Sequence, residues 1–173
     1  MKSEKVFIRK ANTEDLEAVM QIIKSCTDDM ISKKIYQWND KYPNKETFHN
    51  DIKNEHLLLL INEGKILGCV SVTDQMDDFY KKIDWIAPTK KNFYVHRLAV
   101  HPKYQGLGYA KEIMNYIENN AVESNCDSIR LDTFSMNKKN NNFYSNIGYK
   151  KLGQIYFRDQ SEMPFNCYEK CLK

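Results

Sequence analysis

Val95-His96-Arg97-Leu98-Ala99-Val100-His101-Pro102-Lys103-Tyr104-Gln105-Gly106-Leu107-Gly108-Tyr109-Ala110 is the stretch whose reading decides the fold. A run of β-formers ends at Pro102, and a glycine-bearing turn then opens a helix. The unpaired N–H groups at a helix start, together with the helix dipole, make a place for an anion. Gly106 and Gly108 let the backbone approach a phosphate with no Cβ in the way, and Ala110 is small enough to do the same. The plain alternative is a strand-to-helix connection whose glycines serve only the turn. A dinucleotide-binding turn is a second alternative: Gly106-Leu107-Gly108 supplies G-x-G, and Asp132 lies in the next strand. Its third glycine is absent, and His101 to Gln105 separate the strand from the first glycine. A P-loop is excluded, because no Gly precedes Lys-Ser or Lys-Thr.

Working outward, Val6 to Ala11 predicts a first strand. Asn12-Thr13-Glu14-Asp15 then reads as a helix start, with Asn12 as cap and acids in the first turn. Leu16, Val19, Met20 and Ile23 form one apolar stripe. A second helical piece is expected from about Asp28 to Tyr36, and a short helix from Lys45 to Lys53. His56 to Ile61 and Ile66 to Thr73 form a hairpin with Gly64 at its turn. Asp74 to Lys91 reads as irregular. Phe93 to Val100 is a strand, Leu107 to Glu123 a helix, Ser128 to Phe134 a strand and Asn137 to Asn146 a short helix. Tyr149 to Phe157 and Asn166 to Leu172 close the chain as strands. The order β-α-α-β-β-β-α-β-α-β-β indicates an α+β class with a mixed sheet and packed helices. At roughly 100–200 residues per domain, residues 1–173 make one domain.

Composition narrows the function classes. Apolar residues are 42% and charged residues 28%, with 6 Gly and 4 Pro in 173 residues, values of a globular chain. No apolar run approaches the roughly 18 residues of a membrane span. The net charge is +3, and only Arg9, Arg97, Arg130 and Arg158 among the 26 basic residues are Arg. Nucleic-acid binders favour Arg for bidentate contacts, so no nucleic-acid partner is expected. Five cysteines without C-x-x-C spacing indicate neither a disulfide framework nor a zinc site, and predict a reducing compartment. Met1 to Lys10 has only three consecutive apolar residues and does not read as a leader, so a cytoplasmic location is expected.

Gln105-Gly106-Leu107-Gly108-Tyr109-Ala110 resembles the Q/R-x-x-G-x-G/A signature of the GNAT superfamily of acyl-CoA-dependent N-acetyltransferases. Leu98-Ala99-Val100-His101-Pro102 resembles that family's strand leading into the loop. Asn137, Asn140 and Phe143-Tyr144-Ser145-Asn146-Ile147-Gly148-Tyr149 resemble its N-x-x-A-x-x-F-Y-x-x-x-G-F segment, with Asn140 where Ala is common. The resemblance implies a three-layer fold: a central, mostly antiparallel sheet with two splayed parallel strands, and helices on both faces. It implies acetyl-CoA as co-substrate, its pyrophosphate on the backbone of Gln105 to Ala110. The pantetheine arm would lie between Phe93–Val100 and Ser128–Phe134, along Leu98-Ala99-Val100, pairing with the backbone of Leu98 and Val100 as an added strand. Asn137 would hold the arm from the other side, with Asn140 and Tyr144 beside it.

The implied reaction is attack of a neutral amine on a thioester. An alkylamine resembles Lys, so it must first lose a proton. A strand N–H near Leu98 or Val100 would serve the oxyanion, and Tyr144 resembles the tyrosine that protonates the leaving thiolate. Strand alternation puts Tyr94, His96, Leu98 and Val100 on one face, which makes His96 the candidate base; Asp84 and Glu46 are alternatives. His101 reads as a turn residue, His49 and His56 as structural or exposed, and no metal site is expected. The acceptor wall would draw on Asp28, Asp29, Tyr36, Trp38, Tyr42, Asp77, Asp78, Phe79, Tyr80, Asp84 and Trp85. Acids among aromatics suit a small cationic amine; a solvated loop face with half-buried rings is the plain alternative. Amino-acid, polyamine, peptide and aminoglycoside amines all fit. A non-catalytic acyl-CoA-binding sensor or interaction module is the other function class. The strand-rich segment from Gly153 to Lys173 offers pairing in a homodimer.

Overall fold

In a computed structural model, residues 6–173 are described. The elements are β1 (Phe7–Lys10), α1 (Leu16–Ser32), α2 (Lys45–Lys53), β2 (Leu57–Asn62), β3 (Lys65–Thr73), β4 (Asn92–Val100), α3 (Tyr109–Glu123), β5 (Ser128–Phe134), α4 (Lys138–Asn146), β6 (Lys150–Ile155) and β7 (Phe165–Cys171). The seven strands form one sheet in the order β1-β2-β3-β4-β5-β7-β6. Every neighbouring pair is antiparallel except β4 with β5. No helix among the described residues is long and apolar enough to cross a membrane.

Alternation along β2 shows how the layers form. Leu57, Leu59 and Ile61 face α1 and α2, meeting Val19, Ile23 and Phe48. Leu60 faces the other way, into a cluster with Ile113, Met114 and Ile117 of α3 and Tyr144 of α4. Helices therefore cover both faces. A third cluster, Tyr80, Tyr94, Phe134, Ile155 and Phe165, packs the segment between β3 and β4 onto the far end of the sheet.

Local chemistry explains most boundaries. Asn44 accepts from the Thr47 N–H and caps α2. Glu63 (φ 49°) and Gly64 (φ 71°) both adopt left-handed backbone, as a two-residue hairpin turn between β2 and β3 requires. Two expectations change. The predicted break before Asp28 is absent: Cys26 and Thr27 continue the buried stripe, so α1 runs unbroken to Ser32 and the chain turns at Lys34 (φ 60°). Within Gly153 to Lys173, β7 lies inside the sheet, leaving β6 as that segment's free edge.

The feature that shapes the site is a bulge in β4. Cys69 pairs with Ala99 and Ser71 with His96, so Arg97 and Leu98 together oppose Val70. Arg97 takes left-handed backbone (φ 55°). Its Nε and Nη2 donate to the two Asp51 oxygens at 2.9 and 2.8 Å, and its Nη1 donates to the Tyr42 hydroxyl at 3.0 Å. Asp51 also accepts from the Ser71 hydroxyl at 2.5 Å. The extra residue reverses the alternation. Tyr94 packs with Tyr80 while Leu98 and Val100 pack on the α3 side, and the His96 ring lies 6.0 Å from that of Tyr80. The single face predicted for Tyr94, His96, Leu98 and Val100 is thus two faces.

Candidate active site

Parallel pairing of β4 with β5 runs from Asn92–Ser128 to Val95–Leu131 and then stops. Beyond it the two strands separate around the bulge. The His101 N–H donates to the Leu67 carbonyl at 2.9 Å, so Ala99 and His101 address β3. Antiparallel alternation turns the Leu98 and Val100 carbonyls toward the gap. The Gln105 side chain meets the Val100 carbonyl, with Nε2 at 2.9 Å. Ala99 is set apart from the gap: it pairs with Cys69, and its methyl packs in the α1–α2 cluster.

After a short turn at Pro102–Tyr104, Gly106 (φ 79°) and Gly108 (φ 88°) both adopt left-handed backbone. A Cβ on either would meet no protein atom within 4 Å, so the surface above them is open. Among the described residues, the amide N–H groups of Gly106, Leu107, Gly108, Tyr109, Ala110 and Lys111 donate to no protein oxygen. Six consecutive free donors at the start of α3 have the geometry of an anion cradle. Gln105 clasps this loop: beside its bond to Val100, its Oε1 accepts from Lys139 Nζ at 2.9 Å. Asn137 is occupied within the fold. Its Oδ1 accepts from the Asn140 N–H at 3.1 Å, capping α4, and its Nδ2 donates to Gln37 Oε1 at 3.0 Å.

A cavity of about 470 Å³ adjoins the gap, lined by His96, Leu98, Asp132, Asn140 and Tyr144 among others. Asn140 Nδ2 donates to the Thr133 hydroxyl at 3.3 Å. The Tyr144 ring is buried against Phe143, Tyr149 and Tyr168. Its hydroxyl has no protein partner and is not sealed in, which leaves it facing the cavity. Burial, reinforced by the Asp132 charge, raises this phenol, so it is protonated at neutral pH. His96 is held the other way: burial, with the Arg97 and His56 charges adding, lowers its imidazole to about 3.

Of the expected acceptor wall, Trp38, Tyr42 and Asp77 line the cavity. Asp28 pairs with Lys24 on α1, Asp29 with Lys33 just past its end, and Asp78 with Lys81. Tyr36, Phe79 and Asp84 are exposed, as are Glu46 and His49. Trp85 stacks on the Arg130 guanidinium, 4.6 Å away. His56 lines the cavity, whereas the His101 Nδ1 accepts from the Lys103 N–H within the turn. Among the described residues, no group of three or more His, Cys, Asp or Glu is placed to hold a metal ion.

The sequence offers Asp132 only as the acid of the dinucleotide-binding alternative, not as a residue of the acyl-transfer site. It projects from β5 into the cavity, and its Oδ2 accepts from the Tyr80 hydroxyl at 2.5 Å. Its Oδ1 has no protein partner and stays accessible. Burial raises this carboxyl to about 6 against the opposing hydrogen bond from Tyr80. The available signal was a lone carboxylate in the otherwise mostly apolar second half of a strand, a residue type rarely buried without purpose.

The profile of the acetyltransferase (GNAT) family matches residues 16–149. Mouse thialysine N-epsilon-acetyltransferase is 31% identical over 78 residues, 43% of this chain and 46% of that protein. The match thus spans about half the length of this curated relative. A GNAT-family acetyltransferase from Streptococcus agalactiae 2603 superposes with a TM-score of 0.81 at 20% identity, over 97% of this chain and 96% of that one. The PaiA N-acetyltransferase of Thermoplasma acidophilum, solved in complex with coenzyme A, gives 0.71 at 18% identity, over 96% and 99%. The family match covers most of the chain and includes the cradle, the gap and Tyr144: this chain belongs to the GNAT acetyltransferase family.

Proposed function

We propose that the chain is an N-acetyltransferase that transfers the acetyl group of acetyl-CoA to the primary amine of a small cationic acceptor. One observation carries this reading: a single cavity joins the β4–β5 gap to a protonated tyrosine hydroxyl and to the carboxylates Asp77 and Asp132. Acetyl-CoA, when bound, supplies the thioester carbonyl. The six free N–H groups from Gly106 to Lys111 suit its pyrophosphate, and the Leu98 and Val100 backbone suits its amide-bearing arm. A backbone N–H at the same strand stabilises the oxyanion. The Tyr144 hydroxyl gives its proton to the departing sulfur, a role for which a phenol held protonated is suited.

The acceptor end of the cavity combines Asp77 with Trp38 and Tyr42. Carboxylate and ring faces favour an ammonium group over a neutral or anionic one. The name of the mouse relative specifies acetylation of an N-epsilon amine, which is compatible with an amine acceptor here. All five cysteines are free thiols, in keeping with work in the cytoplasm.

The test is release of free CoA thiol from acetyl-CoA with a panel of amines. Turnover is expected with small cationic amines. Tyr144→Phe is expected to lower kcat about a hundredfold or more while leaving stabilisation by CoA intact. Stabilisation by CoA with no turnover on any amine would favour a binding module instead.

A further inference from the structure

We propose that Asp132, positioned by Tyr80, is the base that takes the proton from the acceptor's ammonium group, in place of His96. This rests on the acetyltransferase reading above. The geometry is that of a carboxylate with one engaged and one free oxygen. Oδ2 is fixed by the Tyr80 hydroxyl, and the free Oδ1 opens on the cavity that also receives the Tyr144 hydroxyl. Tyr80 is fully buried, and the Trp85 indole N–H donates to its backbone carbonyl at 3.0 Å, so the hydroxyl has a rigid mount.

The charged and titratable groups around Asp132 come from every packed element. Asp77 lies on the segment before the Tyr80 turn, and Tyr80 itself on that turn. His96 and Arg97 come from β4, Tyr144 from α4 and Cys167 from β7. Arg97 is already held by Asp51, so its charge is largely spent there. Asp77 opposes ionisation of Asp132, and the Tyr80 hydrogen bond favours it. Burial and the Arg97 charge push the His96 imidazole down while burial pushes the Asp132 carboxyl up, so of the two groups lining the cavity Asp132 is the stronger proton acceptor.

The protons balance with these groups alone. The ammonium gives one proton to Asp132, and its freed lone pair forms the N–C bond. As the C–S bond breaks, the sulfur takes the Tyr144 proton. The nitrogen then gives up a second proton, which restores the Tyr144 phenol, and the amide keeps the third. Asp132 returns its proton to solvent.

The experiment measures kcat/KM against pH for the wild-type chain, Asp132→Asn, Tyr80→Phe and His96→Gln, with urea unfolding of the same proteins across the same range. The wild-type profile should fall on its acid side with a midpoint of about 6. Asp132→Asn should lose about a hundredfold or more in kcat/KM and show no such limb, yet still be stabilised by CoA. Tyr80→Phe should lower kcat/KM about tenfold, because Asp132 loses its mount, and move the limb to higher pH, because the hydrogen bond that favours the carboxylate is gone. Unfolding gives a readout independent of turnover. A carboxyl raised on folding stabilises below its unfolded value and loses that contribution as pH rises through about 6. Relative to Asp132→Asn, the wild-type folding constant should therefore fall about fiftyfold between pH 4 and pH 7. An acid limb that persists in Asp132→Asn with kcat/KM within about threefold of wild type, a limb abolished by His96→Gln instead, or a pH-independent unfolding difference overturns the assignment. A wild-type chain that binds CoA but acetylates no amine overturns the reading beneath it, and the assignment with it.

Discussion

Replacing Gly108 by alanine distinguishes an anion cradle from a turn that merely needs glycine. The backbone at Gly108 sits at φ 88°, and a Cβ there meets no protein atom within 4 Å. The cost to the free protein is therefore backbone strain alone, about 1–2 kcal/mol for left-handed geometry in a non-glycine residue. For a chain of this length that lowers Tm by roughly 2–8 °C. Ligand binding adds a separate term. At CoA concentrations about 100 times Kd, wild type should gain about 2.7 kcal/mol. If phosphate oxygens pack on the N–H groups of Gly106 to Lys111, the new methyl intrudes on their approach. A tenfold loss of affinity at the same concentration shrinks the gain to about 1.4 kcal/mol. Differential scanning fluorimetry of both proteins, with and without CoA, reads the two terms separately. An alanine variant that shows the strain but keeps the full CoA shift would refute the cradle and leave Gly106 and Gly108 as turn residues.

Two further predictions concern the scaffold that holds the gap open. Glu169→Gln removes the counter-charge of Arg130, in a pair with both side chains fully buried. It should cost about 3–5 kcal/mol by urea unfolding, and a loss below about 1 kcal/mol would show the pair is not needed. Gly68→Ala would put a Cβ 2.5 Å from the Ala99 carbonyl oxygen, which is backbone and cannot swing aside. The expected loss is about 1–3 kcal/mol, again read by urea unfolding, and an unchanged midpoint would contradict it.

What the sequence disclosed was local. Helix α2 falls on its predicted residues because Asn44 and the apolar spacing act within a few positions. Strand β5 falls on Ser128 to Phe134 for a similar reason. Gly106 and Gly108 are legible because left-handed backbone in a loop favours one residue type. What it withheld depends on partners far along the chain. Arg97 adopts left-handed backbone, for which an arginine carries no local signal; the ion pair to Asp51, 46 residues away, holds it there. That one residue moved His96 off the face shared by Leu98 and Val100. Asn137 looked free for a ligand, but Gln37, 100 residues distant, engages its amide. Asp132 acquires its meaning only from Tyr80, 52 residues earlier.

The gap between β4 and β5 follows from tethers that draw one strand in two directions. At its start, the Ser128 hydroxyl lies 2.9 Å from Asn92 Oδ1 and 2.6 Å from Glu169 Oε1, which Arg130 Nε also meets at 3.0 Å. This buried network binds β4, β5 and β7 together. Five residues later, Arg97 is drawn by Asp51 and Tyr42 toward α2, on the opposite side from α3. Pairing with β5 ends at Val95, between the two tethers. The Val100 carbonyl is met by Gln105 Nε2 at 2.9 Å and Cys26 Sγ at 3.3 Å, but past Val95 the strand has no ladder partner on its β5 side, where an unpaired backbone group is costly unless water or a ligand satisfies it. The proposed acetyl-CoA arm, extended and amide-bearing, would complete the interrupted sheet there. The same ion pair thus sits where the sheet is interrupted, and under the proposed acetyltransferase reading an amide-bearing arm suits that interruption better than a compact ring.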